Sequence, residues 1–303
     1  MRFSIWPSLM RPVDEVLEVA THAERTGWDG VYVADHFMGD GGGFGPEESP
    51  TLEATAVLAA LAVATERVRL GPLVLGTTYR QPTVVAKWAA TVDHLSGGRL
   101  VLGVGAGWQQ NEHERYGIEL PAVGARVERF AEVCLVLTGL LREHRTTFDG
   151  HWFHLDDAPC EPKPVQRHLP LLIGAKGDRM LGVVARHADE WNLWGLPPWI
   201  AERSAVLERH CESVGRDPSE IRRSTQALIL PTSDPSEARA FLDAVAPRAA
   251  VAGPWEHILE TVDGWVAVGV DELIVPDNTL GRGQERLDRM DAFLAAVAPF
   301  RSP

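Results

Sequence analysis

"LVLGVGAGWQQNEHERYG", residues 100–117, starts as a continuous apolar run, passes through glycines at every second position and then turns polar. A strand running into a glycine-rich turn is how a dinucleotide-binding unit opens, and the fingerprint of that unit is G-x-G-x-x-G. Here Gly103, Gly105 and Gly107 keep strict two-residue spacing, and Trp108 stands where the third glycine belongs. The stretch reads as a buried strand and its turn without the dinucleotide fingerprint, so the fold has to be read from what surrounds it.

On both sides, short β-rich runs alternate with amphipathic runs. Strands are expected at 2–7, 30–37, 68–76, 99–107, 169–177, 188–195, 221–231 and 270–276. Helices are expected at 12–27, 49–66, 82–98, near 123–145, and at 178–187, 197–214, 235–246, 254–268 and 282–297. Gly27 stops the first helix, and in the second Ser49 is placed as cap with Pro50 at the first helical position. Between about 146 and 170 the Asp149-Gly150 pair and clustered prolines break the rhythm, which predicts an inserted hairpin and loop after the fourth helix. Almost continuously apolar strands separated by single helices imply a parallel sheet covered on the outside, with right-handed crossovers. Eight such units close into a (β/α)8 TIM barrel, one domain over 1–303, with an open doubly wound sheet as the alternative.

The composition is that of a globular protein, with 45% hydrophobic and 23% charged residues, and no apolar run is long enough to span a membrane. "MRFSIWPSLM" lacks the features of a signal peptide, so the protein is read as cytoplasmic. A net charge of −13 argues against nucleic acid as a partner, because that binding needs basic side chains against phosphate. Cys134, Cys160 and Cys211 lack the spacing of a metal site or a disulfide framework and read as small buried hydrophobes. No metal is expected.

A barrel puts its chemistry at the C-terminal ends of its strands. Those ends carry Trp6, the run Asp35-His36-Phe37, "LGTTYRQP", "GAGWQQNEHERYG", Gly174-Ala175-Lys176-Gly177 and "EWNLWG" with Trp194. Glycines, aromatics and polar groups converging on one mouth describe a pocket for a flat ligand and a small-molecule substrate. His36 is the candidate for proton transfer, since an imidazole titrating at about 6.5 works in both directions near neutrality. Asp35, its neighbour on a strand, points to the opposite face and is not expected to orient it. The turn before the helix at 178, with Lys176 and Arg179, suits an anion. Residues 38–48, "MGDGGGFGPEE", read either as a lid or as a mobile surface loop. The helix around 51–64 is apolar on nearly all sides and calls for cover beyond the barrel. Glu112 and His113 in "NEHER" do not complete H-E-x-x-H, and no Ser or Cys sits in a nucleophile motif.

With these ends assembled, the chain resembles the bacterial luciferase-like flavin and deazaflavin oxidoreductases over nearly its whole length. The resemblance is carried by "GWDGVYVADHF", "VRLGPLVLGTTYRQP", "LSGGRLVLGVGAGWQQNEHERYG", "PLLIGAKG" with "VVARHADEWN", and "GVDELIV". It implies a (β/α)8 barrel with an insertion, a homodimer, and FMN or the deazaflavin F420 at the mouth. It further implies a non-prolyl cis peptide at Leu73-Val74 under the central ring, and cofactor contacts from Gly105, Ala106, Gly107, Asn111, Gly174, Ala175, Lys176, Gly177 and Arg179. His36 matches the family's active-site histidine, and Trp6, Trp108 and Trp194 line the substrate pocket. The third- and fourth-strand patterns look most like the F420-associated branch. That implies hydride transfer between the deazaflavin C5 and a small organic substrate, with a separate reductase supplying reduced cofactor. An FMNH2-dependent two-component monooxygenase and a cofactor-binding protein without turnover are the alternatives. The family's sugar-phosphate dehydrogenases carry a glutamate in place of Trp108 and a tryptophan in place of Asp40, so the resemblance speaks against that substrate class here.

Overall fold

The computed structural model describes residues 1–42 and 44–301; Gly43, inside the 38–48 loop, lies outside the described residues. In chain order the elements are β1 (Arg2–Trp6), α1 (Val13–Thr26), β2 (Gly30–Val33), α2 (Ala54–Ala64), β3 (Arg69–Pro72), β4 (Leu75–Gly76), α3 (Pro82–Ser96) and β5 (Leu102–Gly105). Then come α4 (Gln110–Tyr116), α5 (Val123–Arg142), β6 (Thr146–Asp149), β7 (His154–Ala158), β8 (Leu171–Gly174), α6 (Asp178–His187), β9 (Glu190–Trp194) and α7 (Pro197–Val214). The last are β10 (Arg222–Gln226), β11 (Leu228–Pro231), α8 (Pro235–Val245), β12 (Ala250–Gly253), α9 (Trp255–Ala267), β13 (Glu272–Pro276) and α10 (Gly283–Val297).

One parallel sheet runs in the order β3-β2-β1-β13-β10-β9-β8-β5-β4. β3 and β4 are halves of one strand interrupted at Leu73-Val74, a non-prolyl cis bond at the position the resemblance implies. Below the break Leu70 pairs with Leu100, and above it β4 pairs with β5, so the sheet closes on itself as the expected eight-position barrel. Its first and last strands lie side by side, Arg2 opposite Glu272 through Trp6 opposite Pro276. β6 and β7 form the inserted antiparallel hairpin.

Closure produces two separate cores. The larger lies between sheet and helices, where apolar faces such as Val16, Val19, Ala20 and Ala23 of α1 are buried. The smaller fills the barrel's interior with Trp6, Tyr32, Leu73, Val101, Leu172 and Ile274. Beneath this inner cluster, at the strands' N-terminal ends, Arg69 reaches Glu190 at 2.5 Å and Glu272 at 2.9 Å, while Ser4 and Tyr32 donate to Glu272. A buried cation shared by two carboxylates, with hydroxyls on the remaining lone pairs, meets the condition for burying charge.

Three expectations are corrected. The second helix starts at Ala54, not Ser49: the Glu53 carboxylate accepts from the Ala56 amide at 2.7 Å, and Leu52 N donates to Leu9 O, which pins the lead-in segment in extended form. The run 221–231 is two strands. After Gln226 the chain leaves the barrel, and β11 pairs in parallel with β12 outside it. Residues 110–116, to which the sequence reading assigns no element, form α4. The apolar α2 is mostly covered by its own fold, with Val57, Leu58 and Leu61 buried and Val63 left two-thirds exposed. Among the described residues no helix is long and apolar enough to cross a membrane.

Candidate active site at the barrel mouth

The broken strand shapes the mouth. Its bulge pushes Val74 toward Gly105 of β5 and Gly174 of β8, where an added Cβ would come within 2.8 and 2.9 Å of a Val74 methyl carbon. A Cβ on Gly103 would collide with Pro72 O. The glycines that the sequence suggested would let a strand approach a flat ring therefore seat the bulge first. Leu73 and Val74 pack with the inner cluster, and Trp194 meets Trp6 edge to face at 5.7 Å. The outcome is an apolar floor walled by indoles.

His36 stands at the edge of this floor, after β2. Its Nδ1 lies 3.2 Å from Glu112 Oε2, and Nε2 has no protein partner among the described residues. Glu112, completely buried on α4, also accepts from the Phe37 amide through Oε1 and from the Tyr79 hydroxyl through Oε2. Burial pushes this carboxyl's pKa upward, but the hydrogen bonds from His36, Tyr79 and Phe37 prevail and hold it below the usual range. Burial and the Glu112 carboxylate push the Tyr79 phenol strongly up, so it stays protonated and donates. Asp35, which lies with His36 beyond the end of β2, makes no hydrogen bond to it: it accepts from Arg80 at 2.6 and 2.8 Å and from the Gly76 amide at 2.9 Å. Burial nevertheless raises the Asp35 pKa despite the pairing with Arg80.

The turn after β5 does several things. Gly107, at φ +82°, lies against Thr78 and presents its carbonyl to Arg126 at 2.8 Å. Ala106 is half-buried beside it. Asn111, expected at the cofactor, gives its amide to Gly39 O at 2.9 Å and Glu47 at 3.2 Å, so it tethers the 38–48 loop. That loop is further fixed by the Asp40 carboxylate, which accepts from the Gly42 and Phe44 amides. Phe44 consequently sits 5.7 Å from the His36 ring and 6.3 Å from that of Trp108, whose indole meets His36 edge-on at 5.4 Å. The Arg248 guanidinium lies over Phe44 at 5.5 Å.

Across the mouth, the Ala175 amide donates to Asn192 O and its carbonyl accepts from Trp191 Nε1. Gly177 leads into α6, which has no side-chain cap, and Lys176 is exposed beside that N-terminus. Arg179 is exposed and paired with Glu128 at 3.2 Å. At the end of β10, in register with Trp194 and Ile274, Gln226 is buried and its Oε1 has no partner. A buried amide oxygen without a donor is costly unless a ligand supplies one. Sequence reading missed Glu112, Tyr79, Phe44, Gln226 and Arg248. Of these only Glu112 gave a signal, an acid on the segment after a mouth strand.

Among the described residues no group of His, Cys, Asp and Glu is arranged to hold a metal ion. The F420-dependent glucose-6-phosphate dehydrogenase of Microbacterium testaceum is 35% identical over 180 residues, 58% of this chain and 51% of that protein, so the match spans about half of that relative's length. The enzyme of the same name from Beutenbergia cavernae is 30% identical over 302 residues, 87% of each chain. Among solved structures, an F420-dependent secondary alcohol dehydrogenase in complex with an F420-acetone adduct superposes with a TM-score of 0.82 at 22% identity, over 98% of this chain and 99% of that one. The profile of the luciferase-like monooxygenases matches residues 1–254, and the chain belongs to that family.

Proposed function

We propose that the protein is an F420-dependent oxidoreductase that passes a hydride between the deazaflavin C5 and a small organic substrate at the barrel mouth. The observation that carries this reading is a histidine with a free Nε2, held by a buried carboxylate at the rim of a flat apolar floor. The F420-dependent relatives favour the deazaflavin over FMN. The residues fit such a group: Val74 and Leu73 offer an apolar surface to a planar ring, and Gln226 Oε1 awaits a donor. The uncapped α6 start beside Lys176 suits an anionic tail. When bound, the deazaflavin supplies hydride acceptance and return at C5.

The protein's own residues then position and exchange protons. His36 takes a proton from a substrate being oxidised or returns one to a substrate being reduced. Trp108, Phe44, Trp6 and Trp194 bound the space a substrate would fill. We read the chain as a homodimer that draws reduced cofactor from a separate reductase.

Fluorescence titration with F420 and with FMN tests the cofactor. Tight F420 binding is expected; FMN binding with none for F420 would overturn the reading in favour of an FMNH2-dependent monooxygenase. His36→Ala is expected to keep F420 binding while lowering turnover by about 10²–10⁴-fold, the usual contribution of a general acid–base. Binding without turnover by the unaltered protein across alcohols, ketones, imines and activated alkenes would instead indicate a carrier.

A further inference from the structure

One carboxylate oxygen at the mouth serves two donors. Glu112 Oε2 receives both His36 Nδ1 and the Tyr79 hydroxyl, while Oε1 receives the Phe37 amide. An ionised carboxylate only accepts, so the His36 contact requires a proton on Nδ1. The neutral imidazole is thereby fixed with Nε2 bare, as an acceptor toward the mouth. Because Tyr79 and His36 donate to the same oxygen, stronger donation from one leaves less electron density for the other.

We propose that Glu112 is the positioning residue that sets the tautomer and basicity of His36, and that Tyr79 tempers it by sharing the same oxygen. This rests on the reading of His36 as the group that exchanges a proton with substrate. In the oxidation of an alcohol, the deazaflavin would supply the acceptor for the hydride of the breaking C–H bond. The O–H bond would break with its proton going to Nε2, leaving a carbonyl. The imidazolium so formed faces the Glu112 carboxylate, which stabilises it, and the reverse reaction returns the proton from the same nitrogen.

Other charges around His36 are already committed. Asp35, next to it in the segment after β2, is neutralised by Arg80, which also pairs with Glu53. His113, tilted against Tyr79 at 4.9 Å, is held between Gln109 O and Thr78 Oγ1. Asp40 of the 38–48 loop is bound to backbone amides, Trp108 and Phe44 carry no charge, and Arg248 lies against Phe44. Glu112 is left as the charge in direct contact with the imidazole.

The test is an NMR titration of ¹⁵N-histidine-labelled full-length protein, with His36 assigned through His36→Asn, run beside the pH profile of kcat with F420. The wild type is expected in the Nδ1–H tautomer. Glu112→Gln removes the negative charge and is expected to lower the His36 pKa by about 1 pH unit or more, with the acid limb of kcat moving down alike. Tyr79→Phe frees the shared oxygen and is expected to move both upward, with F420 affinity held. A purely structural role for Glu112 would not move the two variants in opposite directions. Shifts in the same direction, no shifts, or a neutral His36 protonated on Nε2 would overturn the proposal. Should Glu112→Gln fail to fold, an unshifted Tyr79→Phe would overturn it alone. Should the wild type fail to bind F420, the functional reading falls, while the NMR titration still decides the Glu112 assignment.

Discussion

His36 and Glu112 lie 76 residues apart and meet at 3.2 Å, and the two were unequally legible in the sequence. A histidine directly after an apolar strand is placed by the strand, so its position at the mouth follows from the barrel. Glu112 lies on a polar seven-residue helix whose buried residues are Glu112 and His113. It gives no apolar period, and its inward face becomes visible only when β2, β4 and β5 are side by side. Its depressed pKa has a sign that can be tested. A carboxylate whose folded pKa lies below its unfolded value contributes stability that is complete above about pH 4.5 and lost as the pH falls through the lowered folded value. Glu112→Gln is expected to cost about 1.5–3 kcal/mol at pH 7, the range for hydrogen bonds to a charged group. Thermal melts of both proteins from pH 7 down to pH 3.5 should show the gap narrowing below pH 4.5.

Among the elements, the eight barrel strands and most helices follow from hydrophobic period alone; α6 and α7 match their expected limits of 178–187 and 197–214. What the period does not contain is partner choice. The run 221–231 reads as one strand, yet its second half pairs with β12, a short strand of small residues that no sequence signal announces. The same holds for Gly105 of β5 and Gly174 of β8, which suggested a ligand and whose nearest neighbour is Val74. Gly174→Ala would set a Cβ 2.9 Å from Val74 Cγ2 and 3.3 Å from Cγ1, and overpacking of this kind costs about 1–3 kcal/mol. Urea unfolding of the double variant Val74→Ala/Gly174→Ala should recover much of that loss. Additive costs would show that the two positions do not couple.

At the scale of the whole molecule, the barrel is joined across its interior as well as around its wall. Arg69 on β3 reaches carboxylates on β9 and β13, several positions away in the strand order. Arg69→Met would leave Glu190 buried without its counter-charge and Glu272 with Arg2 alone at 3.9 Å, and is expected to destabilise the fold by about 3–5 kcal/mol in denaturant unfolding. A loss within the experimental error would mean that Tyr32, Ser4 and Arg2 suffice to hold the two acids. This cluster was not legible from the sequence, because its members span residues 2 to 272 and each is a charged or polar residue on a strand that otherwise reads as apolar. The same cluster, with the tryptophan-lined layer above it, makes the barrel a blind shaft. On the proposed reading, a flat ligand seated on that floor would be covered by the substrate above it and would have to leave last.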